Sequence, residues 1–198
     1  MIKNILKLKG VKLVFVTGKE EDALADFTSS LVSDFLKVKR LRGICSKINL
    51  ISILFYDLVI LTEKNVSIEE FKSFSEAFRE VVIVINSNNL EFEKELIRSV
   101  DNKNTVLVDF KNRDRLLSKR MNRFLSYGFD SGADFFISDI TQKEKTNFKI
   151  NYDGSSIPVW IGKKVERGDI SGITAGLGVG VLLDINFVKL TQKLNRRN

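Results

Sequence analysis

The chain reads as an α/β protein of three layers, a mostly parallel sheet flanked by helices, with a small antiparallel β-subdomain near the C-terminal end. Three observations predict this. Four short apolar runs have the continuous character of strands buried on both faces: Lys12-Leu13-Val14-Phe15-Val16-Thr17, Leu58-Val59-Ile60-Leu61-Thr62, Val81-Val82-Ile83-Val84-Ile85-Asn86 and Thr105-Val106-Leu107-Val108-Asp109. Segments of helical period stand between these runs with short connections, the alternation of a parallel sheet with crossovers. Beyond about residue 126 the pattern changes to short β-type segments in quick succession.

Taken in order, the first run ends at Gly18, and a helix is predicted over 20–36. Leu24, Phe27, Leu31 and Phe35 recur at spacings of three and four, with Glu20, Glu21 and Asp22 in the first turn, where the helix dipole favours acids. A basic stretch over 37–47 leads through 48–54 to the second strand. Ser67 with Glu70 three residues on is a capping-box signature, opening a helix through Phe71, Phe74 and Phe78. A short helix over 90–100 follows the third strand. A basic helix is predicted around 114–124. Then come Phe135-Phe136-Ile137, a strand over 148–152, the turn Asp153-Gly154, and a strand over 157–161. Helices over 170–183 and 187–194 close the chain. The expected organisation is a single module over 1–198, with core sheet at about 11–125, small sheet at about 126–163 and closing helices over 169–195.

Composition narrows the chemistry. At 198 residues and 43% hydrophobic, the chain is long enough to bury one full core. The longest apolar run, over 48–62, is interrupted by Asn49, Ser52 and Asp57 and falls short of the roughly 20 apolar residues of a membrane span. Lysines at 3, 7, 9 and 12 interrupt any signal-peptide core. One cysteine, Cys45, allows no internal disulfide, and the absence of histidine excludes Cys/His metal clusters and the Ser-His-Asp and Cys-His nucleophile systems. The expected compartment is the cytoplasm. The net charge of +7 has acids interleaved with the bases over most of the chain. It reads as solubility; the alternative is affinity for nucleic acid, anionic lipid or an acidic partner.

The turn Val16-Thr17-Gly18-Lys19 stands where an α/β protein places a phosphate loop. Such a loop needs glycines for close backbone approach, a lysine for the terminal phosphates and a hydroxyl for magnesium. Here Gly18 is followed by Lys19-Glu20-Glu21-Asp22-Ala23. Like charges at ~4 Å repel by about 1 kcal/mol even in water, so three carboxylates oppose a triphosphate.

Over nearly the whole chain the order and spacing of motifs resemble the central domain of the Mur ligase family, the ATP-dependent amide ligases of peptidoglycan synthesis. Tyr127-Gly128-Phe129-Asp130 with Ala133-Asp134 and Asp139-Ile140 resembles the approach to the family's small sheet, and 147–159 its hairpin. The stretch from Ile173-Thr174-Ala175-Gly176 to Asp184-Ile185-Asn186 is similar to the Ala-rich helix ending in Gly-Ile-Asp. Val84-Ile85-Asn86-Ser87-Asn88-Asn89 looks like the strand ending Leu-Asn-Ala-Asp-Asp, and Val16-Thr17-Gly18 falls where the family's phosphate loop begins. The resemblance implies ATP and magnesium as cofactors.

The departures imply their loss. Alignment puts Asp22 where the family's phosphate lysine belongs and Ala23 where its magnesium-binding hydroxyl belongs. The magnesium-binding glutamate has no counterpart over 42–56. Lys64-Asn65-Val66-Ser67 replaces Asp-His-Leu-Asp, and Gly168-Asp169-Ile170-Ser171-Gly172 replaces the adenine-side His-Asn-x-x-Asn. Gly18 and Asn86 remain as vestigial cofactor contacts, and Arg167 also survives. The family's flanking N-terminal and C-terminal domains are not expected within 198 residues. The expectation is therefore a Mur-ligase-like pseudoenzyme, without catalytic or metal-binding residues and without cofactor, that binds or scaffolds an unidentified protein partner in cell-envelope synthesis. One alternative is an ATP-dependent ligase fragment acting with partner chains.

The other alternative is a basic-surface binder. The segment from Lys111 to Phe124 carries six basic residues and one acid. As a helix it would turn Leu116, Leu117, Met121 and Phe124 inward and Arg113, Lys119, Arg120 and Arg123 outward. That face is either a solvated surface or a docking surface for nucleic acid or an anionic membrane. Glycines 172, 176, 178 and 180 are expected to pack closely on the sheet, because each costs roughly 1 kcal/mol against alanine inside a helix.

Overall fold

A computed structural model of the protein describes residues 2–44, 50–62, 66–86, 89–101, 103–117 and 123–196. Among these, the strands join into one nine-stranded sheet. They are β1 (Lys12–Gly18), β2 (Val38–Arg42), β3 (Leu58–Thr62), β4 (Glu80–Asn86), β5 (Thr105–Asp109), β6 (Arg123–Gly128), β7 (Phe135–Gln142), β8 (Thr146–Tyr152) and β9 (Ser155–Ile161). Their order across the sheet is β2-β3-β1-β4-β5-β6-β7-β8-β9. Pairing is parallel from β2 to β7 and antiparallel for β7–β8 and β8–β9. The antiparallel end expected from the sequence is present, hydrogen-bonded onto the parallel sheet through β6 and β7.

Alternation along the strands sorts the two faces. Val14, Val16, Ile60, Val82, Val84 and Leu107 point to one side, where they meet α2 (Glu21–Val32), α7 (Arg167–Leu182) and α8 (Phe187–Arg196). Leu13, Phe15, Leu61, Ile83, Val106 and Val108 point to the other, where Phe71 and Phe74 of α4 (Ile68–Ser75) and Leu96 and Ile97 of α5 (Leu90–Ser99) cover them. This is why the four runs are apolar without a break. In β8 and β9 only alternate residues (Thr146, Phe148, Ile150, Val159 and Ile161) are buried, as in a sheet with one wet face. Pro158, the only proline, lies in β9, an edge strand that tolerates a missing donor. On that strand the Trp160 N–H donates to Asn195 Oδ1 of α8 at 3.0 Å.

The capping box forms: Glu70 N–H donates to Ser67 Oγ at 3.2 Å and Ser67 N–H to Glu70 Oε2 at 2.9 Å. Other expectations need correction. The basic stretch at 37–47 contains β2, and α1 (Ile2–Lys9), α3 (Leu50–Ile53) and β6 were not foreseen. Helix α2 stops at Val32, so Phe35 lies beyond it and is 37% exposed. The predicted basic helix is a 3-10 turn over Phe110–Asn112 and then α6 (Arg113–Leu116); Arg123 opens strand β6, where it pairs in register with Thr105. Leu117 is exposed, not core-facing. Lys119, Arg120, Met121 and Cys45 lie outside the described residues.

The helical glycines serve three different neighbours. A Cβ at Gly178 would stand 3.2 Å from Leu107 on the sheet, as expected. At Gly176 it would meet the Phe27 ring of α2 at 2.6 Å, and at Gly180 the Leu190 side chain of α8 at 2.6 Å. Those two glycines admit helices, not the sheet. At Gly172 it would meet nothing within 4 Å.

Candidate functional site at the carboxyl end of the sheet

Strand order reverses at β1, whose neighbours β3 and β4 both follow it in sequence. In open α/β sheets the crevice at the carboxyl ends of such strands is where ligands bind. Here the crevice is built from the turn after β1, the end of β4 and the first turn of α7.

The turn after β1 is short. Lys19 and Glu20 alone separate β1 from α2, and Glu20 takes the left-handed conformation with φ 57°. Gly18 has φ 104°, and a Cβ there would lie 2.0 Å from the Asn86 carbonyl oxygen, so the two backbones touch as only glycine permits. The Lys19 N–H donates to that oxygen at 2.8 Å, and Asn86 Nδ2 donates to the Lys19 carbonyl at 2.7 Å. Gly18 and Asn86 are thus brought together, and each is engaged in closing the turn.

Asp22, in the first turn of α2, meets Arg40 of β2. Arg40 Nη2 donates to Asp22 Oδ1 at 2.6 Å and Arg40 Nε to Asp26 Oδ1 at 3.1 Å. The Thr62 hydroxyl donates to Asp22 Oδ1 at 3.2 Å, and Arg42 approaches Asp22 and Asp26 at 3.9 and 3.7 Å. Desolvation pushes the Asp22 carboxyl up, but hydrogen bonds from Arg40 and Thr62 and the charges of Arg40 and Arg42 outweigh it. Its pKa falls below the ordinary carboxylate value. Sequence reading missed Arg40, because only the placement of β2 beside β3 carries it to α2.

These residues do not fit a triphosphate with magnesium. A phosphate loop presents several successive free backbone N–H groups and a lysine; here the Lys19 N–H is taken, and the residue facing Arg40 is an acid that neutralises it. No group of three or more potential metal ligands occurs among the described residues.

Beside the turn opens a cavity of about 320 Å³ lined by α2, β9, α7 and α8. Asp169 is on its lining and accepts from the Glu166 N–H at 3.0 Å, capping α7. Farther along the sheet, Asp109, Phe110, Lys111, Phe129 and Asp130 line a smaller cavity of about 240 Å³. Arg167 stacks its guanidinium over the Phe129 ring at 4.3 Å, and Arg113 stands 5.9 Å from the Phe110 ring. Tyr127 of β6 is fully buried between β5 and β7; desolvation, then the charges of Asp109 and Glu93, raise its pKa far above the ordinary tyrosine value. Arg113 and Arg123 lie on separate elements, so the single helical face expected of them is not formed. No helix among the described residues is long and apolar enough to cross a membrane.

No family model matches the sequence, and no curated protein matches it. Solved structures do. MurF from Acinetobacter baumannii superposes over 98% of this chain with a TM-score of 0.69 at 12% identity, and 47% of that enzyme is covered. MurF ligase from Thermotoga maritima in complex with ADP gives 0.68 at 15% identity, covering 96% of this chain and 51% of that one. A pseudomurein peptide ligase type C from Methanothermus fervidus gives 0.62 at 14% identity, with 98% and 51% covered. The chain spans about half the length of these structures. It has a Mur-ligase-like α/β fold, matched over 96–98% of the chain in these comparisons.

Proposed function

We propose that the protein is a non-catalytic Mur-ligase-like module, a single unit over 1–198 that works in the cytoplasm by binding or scaffolding a protein partner in cell-envelope synthesis. The observation that carries this reading is the Asp22–Arg40 pair at 2.6 Å, an acid in place of the phosphate lysine with its charge already satisfied inside the fold. The two-residue turn closed on Asn86 supports it, since no loop remains to wrap a phosphate. Titration of the protein with magnesium-ATP by calorimetry tests the reading. No heat of binding is expected up to millimolar ATP, and micromolar affinity would overturn it.

The second reading, a ligase assembled with partner chains, draws on the half-length match to the solved ligases. It requires the phosphate grip to come from the partner. Co-purification of a chain that restores ATP-dependent amide formation would establish it. The basic-surface reading keeps Arg113 and Arg123 as its described residues, on two elements rather than one helix.

A further inference from the structure

The 320 Å³ cavity has a composition of its own. Leu24, Phe27, Ile161, Val165, Ile173 and Leu194 supply apolar walls from four elements, and pockets of this size and character are those that hold small organic molecules. The ionisable groups on its lining are Glu20, Asp169 and Lys163, two acids against one base. Asn86 also lines it, but its amide is spent on the Lys19 carbonyl. With Lys163 as the one base, the two carboxylates carry the larger share of the polar recognition. Asp169 uses one oxygen on the Glu166 N–H, and a carboxylate retains further lone pairs for a donor.

The glycines of α7 add an independent observation. Gly176, Gly178 and Gly180 each have a packing reason, because a Cβ would press on Phe27, Leu107 or Leu190. Gly172 has none: it lies within the helix, lines the cavity, and a Cβ there meets no atom within 4 Å. A glycine inside a helix costs roughly 1 kcal/mol against alanine. Among the described residues no atom fills the space beside Gly172, and Gly172 is on the cavity's lining. Gly168, one turn earlier, is likewise unobstructed and also lines it.

We propose that this cavity binds a small molecule with an apolar body of one or two rings and a protonated amine, the body against Phe27 and Ile173 and the amine at Glu20 and Asp169. This goes beyond the scaffolding reading and is opposite in charge preference to a nucleotide site.

The test titrates the intact protein with tryptamine, with indole-3-acetate as a probe of similar body and opposite charge, and with ADP, followed by calorimetry and protein NMR shifts. Tryptamine is expected to bind at least tenfold more tightly than indole-3-acetate, with shifts at cavity residues. Gly172→Leu, which introduces a strong helix former into open space, is expected to abolish binding while the melting temperature stays level or rises. Glu20→Gln, at an exposed position, is expected to weaken tryptamine severalfold and leave indole-3-acetate unchanged or tighter. Equal or tighter binding of indole-3-acetate, tryptamine binding indifferent to Gly172→Leu, or no binding of tryptamine would each overturn the proposal. The scaffolding reading would survive all three of those results. Tight binding of ADP would overturn both.

Discussion

Asn86 and Lys19 hold one another by two hydrogen bonds of opposite sense, backbone N–H to carbonyl at 2.8 Å and side-chain amide to carbonyl at 2.7 Å. The pair locks the end of β1 to the end of β4 where a nucleotide-binding protein would keep both groups free. It also depends on Gly18, where a Cβ would lie 2.0 Å from the Asn86 carbonyl oxygen.

Gly18→Ala is therefore expected to destabilise the protein by about 3 kcal/mol, because the residue must keep a positive φ and its new Cβ meets backbone rather than a movable side chain. Gly172→Ala, in open space, is expected to be neutral or to stabilise by up to about 1 kcal/mol. Urea unfolding of the two variants side by side checks the contrast; equal effects would contradict it.

Gly176→Ala places its Cβ 2.6 Å from the Phe27 ring. Overpacking there is expected to cost about 1 kcal/mol net of the gain in helix propensity. In a Phe27→Ala background the same substitution is expected to be neutral or stabilising. A double-mutant cycle measures the coupling, and strict additivity would mean that the two helices do not interlock at this point.

Asp22 gives a pH signature. Its folded-state pKa is depressed, so its contribution to stability is present above the unfolded carboxylate value and is lost as pH falls through the folded value. Asp22→Asn is expected to flatten the acid limb of stability below about pH 4, by about 1 kcal/mol or less because the side chain is partly exposed. Arg40→Ala should be the more damaging change, since the Arg40 side chain is only 16% exposed and its loss leaves Asp22 and Asp26 facing one another. Denaturant midpoints from pH 2 to 7 decide both points.

Tyr127 acts at the opposite end of the scale. Its pKa is raised, so stability is complete below the unfolded tyrosine value near 10 and falls above it, as the unfolded chain releases a proton that the folded protein keeps. The slope is about 1.4 kcal/mol per pH unit. Tyr127→Phe is expected to remove that increment from the alkaline limb, measured as the difference between the two proteins between pH 9 and 11.

For the basic segment, Arg113→Glu with Arg123→Glu tests whether the two residues share a docking surface. On separate elements they are expected to change the salt slope of heparin retention by about 2 or less, the share of two phosphate contacts. Complete loss of retention would assign the surface a binding role.

Much of the sheet was legible because four strands are buried on both faces and so read as unbroken Val/Ile/Leu runs. β2 and β6 escaped for the opposite reason. Val38-Lys39-Arg40-Leu41-Arg42 lies at an edge with much of its surface wet, and β6 opens on Arg123 after a run of bases that favours a helical reading. Their strand character comes from neighbours, not from their own residues. The same limit applies to the site. That Asp22 stands in place of a lysine is visible in one dimension; that Arg40 neutralises it depends on a strand order no local pattern contains. The unequal work of the α7 glycines was equally hidden, since Gly172 and Gly176 look identical until Phe27 is placed.

The two rims of the sheet have a further consequence for how copies of the protein behave at high concentration. At the β9 rim, Asn195 takes the Trp160 N–H and Pro158 offers none, so an incoming strand finds few bonds to make. At the β2 rim, Arg40 is paired with Asp22 and Asp26, but Lys39 and the largely exposed Arg42 remain, so a second β2 aligned against the first would still bring like charges together. A nine-stranded ribbon with two bare ends would be a seed for fibres. This one resists lateral growth at one end by covering and at the other by repulsion, and raising the salt concentration should weaken only the second.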